Sequence, residues 1–301
     1  MNASTLTFTP AVRKRARLRI ALAGPSGSGK TYGALLIAKG LGGKTAVIDT
    51  ERNSASLYAH LTGFDALDLS PPYKPERFIE AIRAAEDAGY DNLVVDSITH
   101  EWNGIGGVLE IVDTIAKTSR SGNSYTAWNE ATPRHRAFID AMLQSRMNVI
   151  ATMRTKAAYV IEAGSNGKQT PRKVGMAPEQ RDGVEYEFTT VLDLSVDGNF
   201  ASASKDRTGL FRDPVHITPE VGTRLRDWLE SGEAPPEPMA EGAVADWLCR
   251  ITECPTPAET AAARDGAYEA AKAAQDRGAA RKFRDAAAAH VTKLIEGAAN
   301  E

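Results

Sequence analysis

Three features of the sequence predict an α/β fold with a mostly parallel, twisted sheet flanked by helices. Short apolar runs alternate with helical periodicity from about residue 17 to 230, the pattern of strands joined by crossover helices. A glycine-rich turn links the first run to the first helix. The last two runs flank Asp197-Gly198-Asn199, a hairpin-type turn that sets an antiparallel pair at one end of the sheet. Strands are expected over 19–23, 45–49, 92–96, 148–153, 187–195 and 200–204, with helices over 31–41, 75–88 and 133–146 between them. Segment 161–183 mixes Gly, Ser, Asn, Gln, Pro and basic residues without periodicity and reads as a long loop, of the kind that usually carries function.

Ser231-Gly232-Glu233-Ala234-Pro235-Pro236-Glu237-Pro238 breaks the pattern. The expected organisation is a core over 1–230, a Pro/Glu-rich linker over 231–240 and an Ala-rich helical module over 241–301. Two or three amphipathic helices are expected in that module, among them 258–275 and 278–295. The module carries no catalytic constellation, so packing or partner docking is its expected role.

The 301 residues are 42% hydrophobic and 25% charged, ordinary for a globular protein. Two cysteines, Cys249 and Cys254, are too few for a disulfide scaffold and fit a reducing cytoplasm. No apolar run reaches membrane-spanning length, and the first residues lack the apolar stretch of a signal peptide. A formal charge of −3 excludes wholesale coating of nucleic acid but leaves room for a local basic groove.

Gly24-Pro25-Ser26-Gly27-Ser28-Gly29-Lys30-Thr31 satisfies the P-loop pattern G-x-x-x-x-G-K-[ST] between a strand-like run and a helical one. Only glycines let backbone N–H groups of such a turn approach polyphosphate closely, and the following helix N-terminus favours the negative charge. Gly24, Ser26, Gly27, Ser28 and Gly29 thus form the cradle. Lys30 reaches the β and γ phosphates of ATP, and the Thr31 hydroxyl holds Mg²⁺. Asn92-Leu93-Val94-Val95-Asp96-Ser97 is an apolar strand ending in aspartate, the Walker B pattern, and Asp96 is the second metal-holding residue. Glu51, after the intervening run Thr45-Ala46-Val47-Ile48-Asp49, can orient and deprotonate an attacking water, or is a solvated strand-end residue.

Lys44-Thr45-Ala46-Val47-Ile48-Asp49-Thr50-Glu51, followed by Leu57-Tyr58-Ala59, resembles the RecA recombinases, as does Val94-Val95-Asp96-Ser97. The resemblance covers about residues 17–215. It implies a RecA-like P-loop ATPase core in which Glu51 is the catalytic carboxylate and Tyr58 stacks on adenine. Read without the family, Tyr58 is a core-packing residue. In RecA proteins a glutamine at the end of the next strand senses the γ-phosphate; here Thr152 or Arg154 stands at that place. Ser204-Lys205-Asp206-Arg207-Thr208-Gly209 resembles the Lys-x-Arg-x-Gly motif of RadA/Sms and DnaB-type ATPases. By that likeness Lys205 and Arg207 act in a neighbouring subunit's site, and the enzyme is a homo-oligomeric ring or filament. A plain basic hairpin end is the competing reading. Phe8-Thr9-Pro10-Ala11 matches the Phe-x-x-Ala tether that links recombinase subunits.

Two basic and aromatic segments are expected as loops that line a channel for single-stranded DNA. One is 117–128, with Arg120, Tyr125 and Trp128; the other carries Lys156, Lys168, Arg172 and Lys173. The combination Val-Val-Asp-Ser, Arg181-Asp182-Gly183, Glu185-Tyr186-Glu187-Phe188 and Lys205-Asp206-Arg207 also resembles an ATP-binding family widespread in bacteriophages. Some of its members look like minimal RecA cores that anneal single strands with a single-strand binding protein. The expected function is therefore a DNA-stimulated ATPase of phage recombination or replication in a bacterial host cytoplasm. The alternatives are a small-molecule or nucleotide kinase, and a protein-directed loader or regulatory NTPase.

Overall fold

The computed structural model describes residues 10–118, 124–163, 169–234, 239–274 and 276–298. The chain divides into two compact units. One is Ala16–Gly232; the other joins the described parts of Met1–Arg15 and Glu233–Glu301.

The larger unit is built on a sheet of nine strands. In chain order its elements are β1 (Arg19–Gly24), α1 (Lys30–Leu41), β2 (Thr45–Asp49), β3 (Asp65–Asp68), α2 (Pro75–Asp87), β4 (Asn92–Asp96), α3 (Thr99–Asn103), α4 (Val108–Thr118) and α5 (Ser124–Gln144). Then come β5 (Asn148–Ala163), β6 (Gln169–Pro178), β7 (Thr190–Leu194), β8 (Phe200–Asp206), β9 (Val215–His216) and α6 (Pro219–Glu230). The strand order is β3-β2-β4-β5-β1-β7-β8-β9, with β6 paired to β5. From β3 to β7 the pairs are parallel, and β8 and β9 run antiparallel, as the hairpin turn predicts. The P-loop strand and the Walker B strand are not neighbours, because β5 is inserted between them.

Period-2 alternation along the buried strands divides the core in two. Ala21, Ala23, Leu93, Val95, Val149 and Ala151 face α2 and α5, whose Phe78 and Phe138 rings meet at 5.2 Å. Ile20, Leu22, Val94, Ile150 and Leu192 face α1 and α6 through Leu35, Ile37, Val221 and Leu225. The helices α1 and α6 cross at Gly40 and Gly222. A Cβ on Gly40 would lie 2.8 Å from the Gly222 Cα, so backbone meets backbone and α1, which begins at Lys30, is held firmly.

Three expectations need correction. Within segment 161–183, Ala163 and the residues before it continue β5, and Gln169–Pro178 form β6, which pairs antiparallel with β5 from Thr155↔Pro178 outward. The described residues of segment 117–128 are helical. α4 reaches Thr118 and α5 begins at Ser124, so Trp128 sits on a helix and Pro133 lies inside it. Glu187 precedes its strand, in the segment after a 3₁₀ turn over Val184–Tyr186.

The smaller unit holds α7 (Glu241–Thr252), α8 (Pro257–Ala273) and α9 (Arg277–Ala298). Thr256-Pro257-Ala258-Glu259 starts α8 with proline in its first turn and the Thr256 hydroxyl accepting from the Glu259 N–H at 3.2 Å. Val244, Ile251, Ala267, Ala271 and Phe283 form the unit's own core. No helix among the described residues is long and apolar enough to cross a membrane.

Candidate functional site

The C-terminal ends of β1 and β4 and the Thr152–Arg154 stretch of β5 come together at the start of α1, where ligands bind in open α/β sheets. β1 delivers the glycine-rich turn. Gly27 and Gly29 have φ of 78° and 86°, a backbone state that side chains with Cβ rarely adopt. Gly29 passes directly into α1, so the first amide groups of that helix face the turn. The Lys30 Nζ donates to the Pro25 carbonyl at 2.9 Å across the loop. Burial lowers the Lys30 pKa, as does Arg154, while Asp96 and Glu51 oppose the shift.

β4 ends in Asp96, which is buried. The Thr31 hydroxyl donates to its Oδ2 at 2.6 Å, and the Thr152 hydroxyl on β5 donates to its Oδ1. Burial pushes the Asp96 carboxyl up, these two hydroxyls pull it down, and the nearby Glu51 and Asp49 charges add to the push. Thr152 is thus aimed at the Walker B carboxylate. Arg154, two residues on, lines the cleft, and its Nε donates to Glu51 Oε1 at 2.9 Å. Burial alone would raise the Glu51 pKa, but the Arg154 hydrogen bond and charge, with His100 and Lys30, hold it below the usual carboxylate range.

The turn after β2 is pinned by Asp49, whose carboxylate accepts from the Glu51 N–H at 2.6 Å and the Ala55 N–H at 2.8 Å. This turn presents Glu51 to the cleft and leads into the 3₁₀ segment Ala55–Tyr58. Tyr58 meets Tyr32 edge to face at 5.7 Å, and both rings line the cleft. Thr50 is tied to the Walker B strand, since its Oγ1 accepts from the Ser97 N–H at 2.8 Å and lies 2.6 Å from His100 Nδ1.

Together Ser26, Gly27, Gly29, Lys30, Thr31, Glu51, Tyr58, Asp96 and Arg154 line one cleft of about 600 Å³. Gly24 lies on β1 and Ser28 is buried within the turn, its hydroxyl donating to the Pro25 carbonyl at 2.9 Å. The residues fit a nucleoside triphosphate with Mg²⁺. Thr31 and Asp96 offer oxygen donors side by side, suited to a hard cation. Among the described residues, the two buried hydroxyls without a partner are Ser97, beside Asp96, and Thr155, on the cleft wall. No group of three or more His, Cys, Asp and Glu side chains could hold a metal among those residues.

Other expected site residues lie apart from the cleft. The Lys205 Nζ donates to the carbonyls of Glu185 at 3.0 Å and Tyr186 at 2.5 Å, and Arg207 is exposed. Neither lines the P-loop cleft of its own chain. Trp128 stacks on Trp102 at 5.8 Å with the Arg181 guanidinium 5.9 Å from its ring. Lys156 is exposed on β5, and Arg172 and Lys173 stand on β6 opposite Val160 and Tyr159. Arg120, Lys168 and Phe8, and the side chains of Tyr125, Arg172 and Lys173, lie outside the described residues.

Sequence reasoning missed Tyr32, Thr50, His100 and Glu179 of this region. Tyr32 directly follows the P-loop threonine, an aromatic at a helix start that could have been noticed. Glu179 lines the cleft only because β6 folds back beside β5, and the sequence bears no sign of that hairpin.

A P-loop cradle, a Walker B carboxylate and a strand inserted between their two strands define a P-loop nucleoside-triphosphatase core. A family model described as an AAA domain matches residues 16–218, well over half of the chain, and the chain belongs to that family. It is accordingly a nucleotide-binding ATPase of the AAA type. No curated protein matches the sequence.

Proposed function

We propose that this ATPase is a RecA-like machine acting on single-stranded DNA in phage recombination or replication. The observation that carries the reading is the continuity of β5. One strand holds Thr152 against Asp96, places Arg154 in the nucleotide cleft, and then becomes one arm of the hairpin bearing Lys156, Arg172 and Lys173. Basic side chains on such an arm suit a sugar–phosphate backbone. The same strand runs from the nucleotide cleft into that arm, with a register shift between Ala158 and Tyr159 on the way.

In this reading the P-loop amides and Lys30 grip the phosphates, while Thr31 and Asp96 hold Mg²⁺. The ion, when bound, neutralises charge on the phosphoryl group. Glu51 orients the attacking water and takes its proton. Tyr58, with Tyr32 beside it, provides the aromatic surface for the base. Lys205 and Arg207 serve a neighbouring copy, so the active form is a ring or filament, with a single-strand binding protein as a further partner. The resemblance to phage RecA-like proteins supports this assembly and biological setting.

The test is phosphate release with and without single-stranded DNA, for the wild type and the variant Lys156→Ala/Arg172→Ala/Lys173→Ala. DNA should stimulate the wild type. The variant should bind DNA with a salt slope shallower by about 2, since each lost phosphate contact contributes roughly 0.7 on single strands. Turnover indifferent to DNA overturns the proposal. If phosphate then passes to a small acceptor, the protein is a kinase; if a replication protein stimulates turnover instead, it is a loader.

A further inference from the structure

The turn that joins β7 to β8 touches the phosphate-binding loop. Within it Gly198 and Asn199 have φ of 69° and 50°, the left-handed state that these two residue types accept most readily. Ser195 ties off the turn: its hydroxyl donates to the Asp197 carbonyl at 2.6 Å and accepts from the Phe200 N–H at 3.2 Å. β7 lies beside β1, the strand that delivers the loop. A Cβ on Gly24 would stand 2.9 Å from the Leu194 carbonyl, so that glycine lets the ends of the two strands approach. The Asn199 side chain thereby reaches the loop. Its Nδ2 donates to the Gly27 carbonyl at 3.3 Å and lies 3.5 Å from the place a Cβ on Gly29 would take.

Gly27 is where the loop is least constrained by packing. It lines the cleft at φ 78°, and among the described residues no atom beyond its chain neighbours comes within 4 Å of the place of a Cβ. A peptide next to such a glycine rotates at little cost, and rotation can turn the Gly27 carbonyl toward the cleft. A carbonyl oxygen repels phosphate, whereas the amide N–H groups of the loop attract it. The peptide between Gly27 and Ser28 is held at both ends. The Ser28 N–H donates to the Pro25 carbonyl at 3.3 Å, a contact within the loop, and the Gly27 carbonyl takes the amide of Asn199 from a distant hairpin.

We propose that Asn199 is a positioning residue for the phosphate grip, a brace that keeps the Gly27 carbonyl turned to the hairpin and the loop in its anion-binding form before nucleotide arrives. The brace acts on the loop and not on the nucleotide, so it serves every ligand that carries the β-phosphate. It rests on the P-loop as the nucleotide site and is independent of the DNA reading.

The test measures binding of fluorescent ADP and of a fluorescent non-hydrolysable ATP analogue, each with Mg²⁺, together with steady-state ATP turnover. Asn199→Gly removes the amide and keeps a residue suited to the left-handed turn. It should weaken both nucleotides alike, about three- to tenfold, as expected for one lost hydrogen bond. KM for ATP should rise in that proportion with kcat changed less than about twofold, the pattern of a grip shared by ground and transition states. Asn199→Asp, which keeps the side-chain shape but exchanges the donor for a carboxylate, should bind both nucleotides at least as weakly as Asn199→Gly. Wild-type affinities in either variant would overturn the brace. Loss confined to the triphosphate would also overturn it, because Asn199 would then touch the γ-phosphate itself. Should Asn199→Gly lower the melting midpoint as well, Asn199→Asp decides, since wild-type binding in it would assign Asn199 to the turn alone. Lys30→Ala separates failure of the site from failure of the brace: unaltered nucleotide binding in that variant would remove the P-loop site, and the brace with it.

Discussion

Replacing Thr152 by valine deletes one of the two hydroxyls that donate to the buried Asp96 carboxylate and changes little else in shape. A hydrogen bond to a charged group is worth about 1.5–3 kcal/mol, and more of the desolvation cost of Asp96 would then be uncompensated. For a unit of this size each kcal/mol moves the melting midpoint by about 2–4 °C, so the fall should be roughly 4–10 °C. The pH dependence has a definite sign. Burial raises the folded-state pKa of Asp96 above its ordinary 3.8, so the native state holds the proton more tightly than the unfolded chain. Stability from this group is therefore lost as pH rises from 3.8 through the raised folded-state value. Thr152→Val should extend the window upward, so its deficit should be larger at pH 7 than at pH 4. Calorimetry of wild type, Thr152→Val and Thr152→Ser at both pH values tests this, with serine retaining most of the stability. A valine variant melting within 1 °C (about 0.3 kcal/mol) of wild type at pH 7 would refute the account of how Asp96 is held.

Lys30→Ala should cost at least about a hundredfold in ATP turnover while leaving the far-ultraviolet spectrum and melting midpoint nearly unchanged. Unaltered turnover would remove Lys30 from the site. Glu51→Gln should flatten the acid limb of the stability curve: the depressed Glu51 pKa contributes stability that is present above 4.5 and lost as pH falls through the folded-state value. Denaturant titrations across that range would show an unchanged slope if the Arg154 pair does not form in solution. Phe138→Ala, in the core between the sheet and α2, should destabilise the larger unit by about 3–5 kcal/mol in urea titration. A loss below about 1 kcal/mol would contradict the packing of Phe138 on Phe78.

The elements read well from sequence are those whose signals are local. Lys30 and Thr31 stand in a motif with little freedom, and β2 and β4 are buried apolar runs ending in aspartate, so they lie where the residues predict. β3 escaped notice because Asp65-Ala66-Leu67-Asp68 is a short, exposed edge strand whose existence depends on pairing with β2. Pro133 reads as a helix start because proline favours the first turn, but α5 begins at Ser124 and tertiary contacts carry it through the proline. The β6 arm has no period-2 pattern in its sequence, and its existence depends on pairing with β5, which no local signal records.

The amino-acid order alone determined the phosphate-binding turn, the Walker B aspartate and the α/β class, because each is written in contiguous residues whose backbone or periodicity allows few alternatives. Only the tertiary structure decided that β5 separates the two nucleotide-binding strands, that Thr152 serves Asp96, and that Arg154 meets Glu51. Those partners come from segments far apart in the chain. Their meeting is set by strand order and register, which no local pattern encodes.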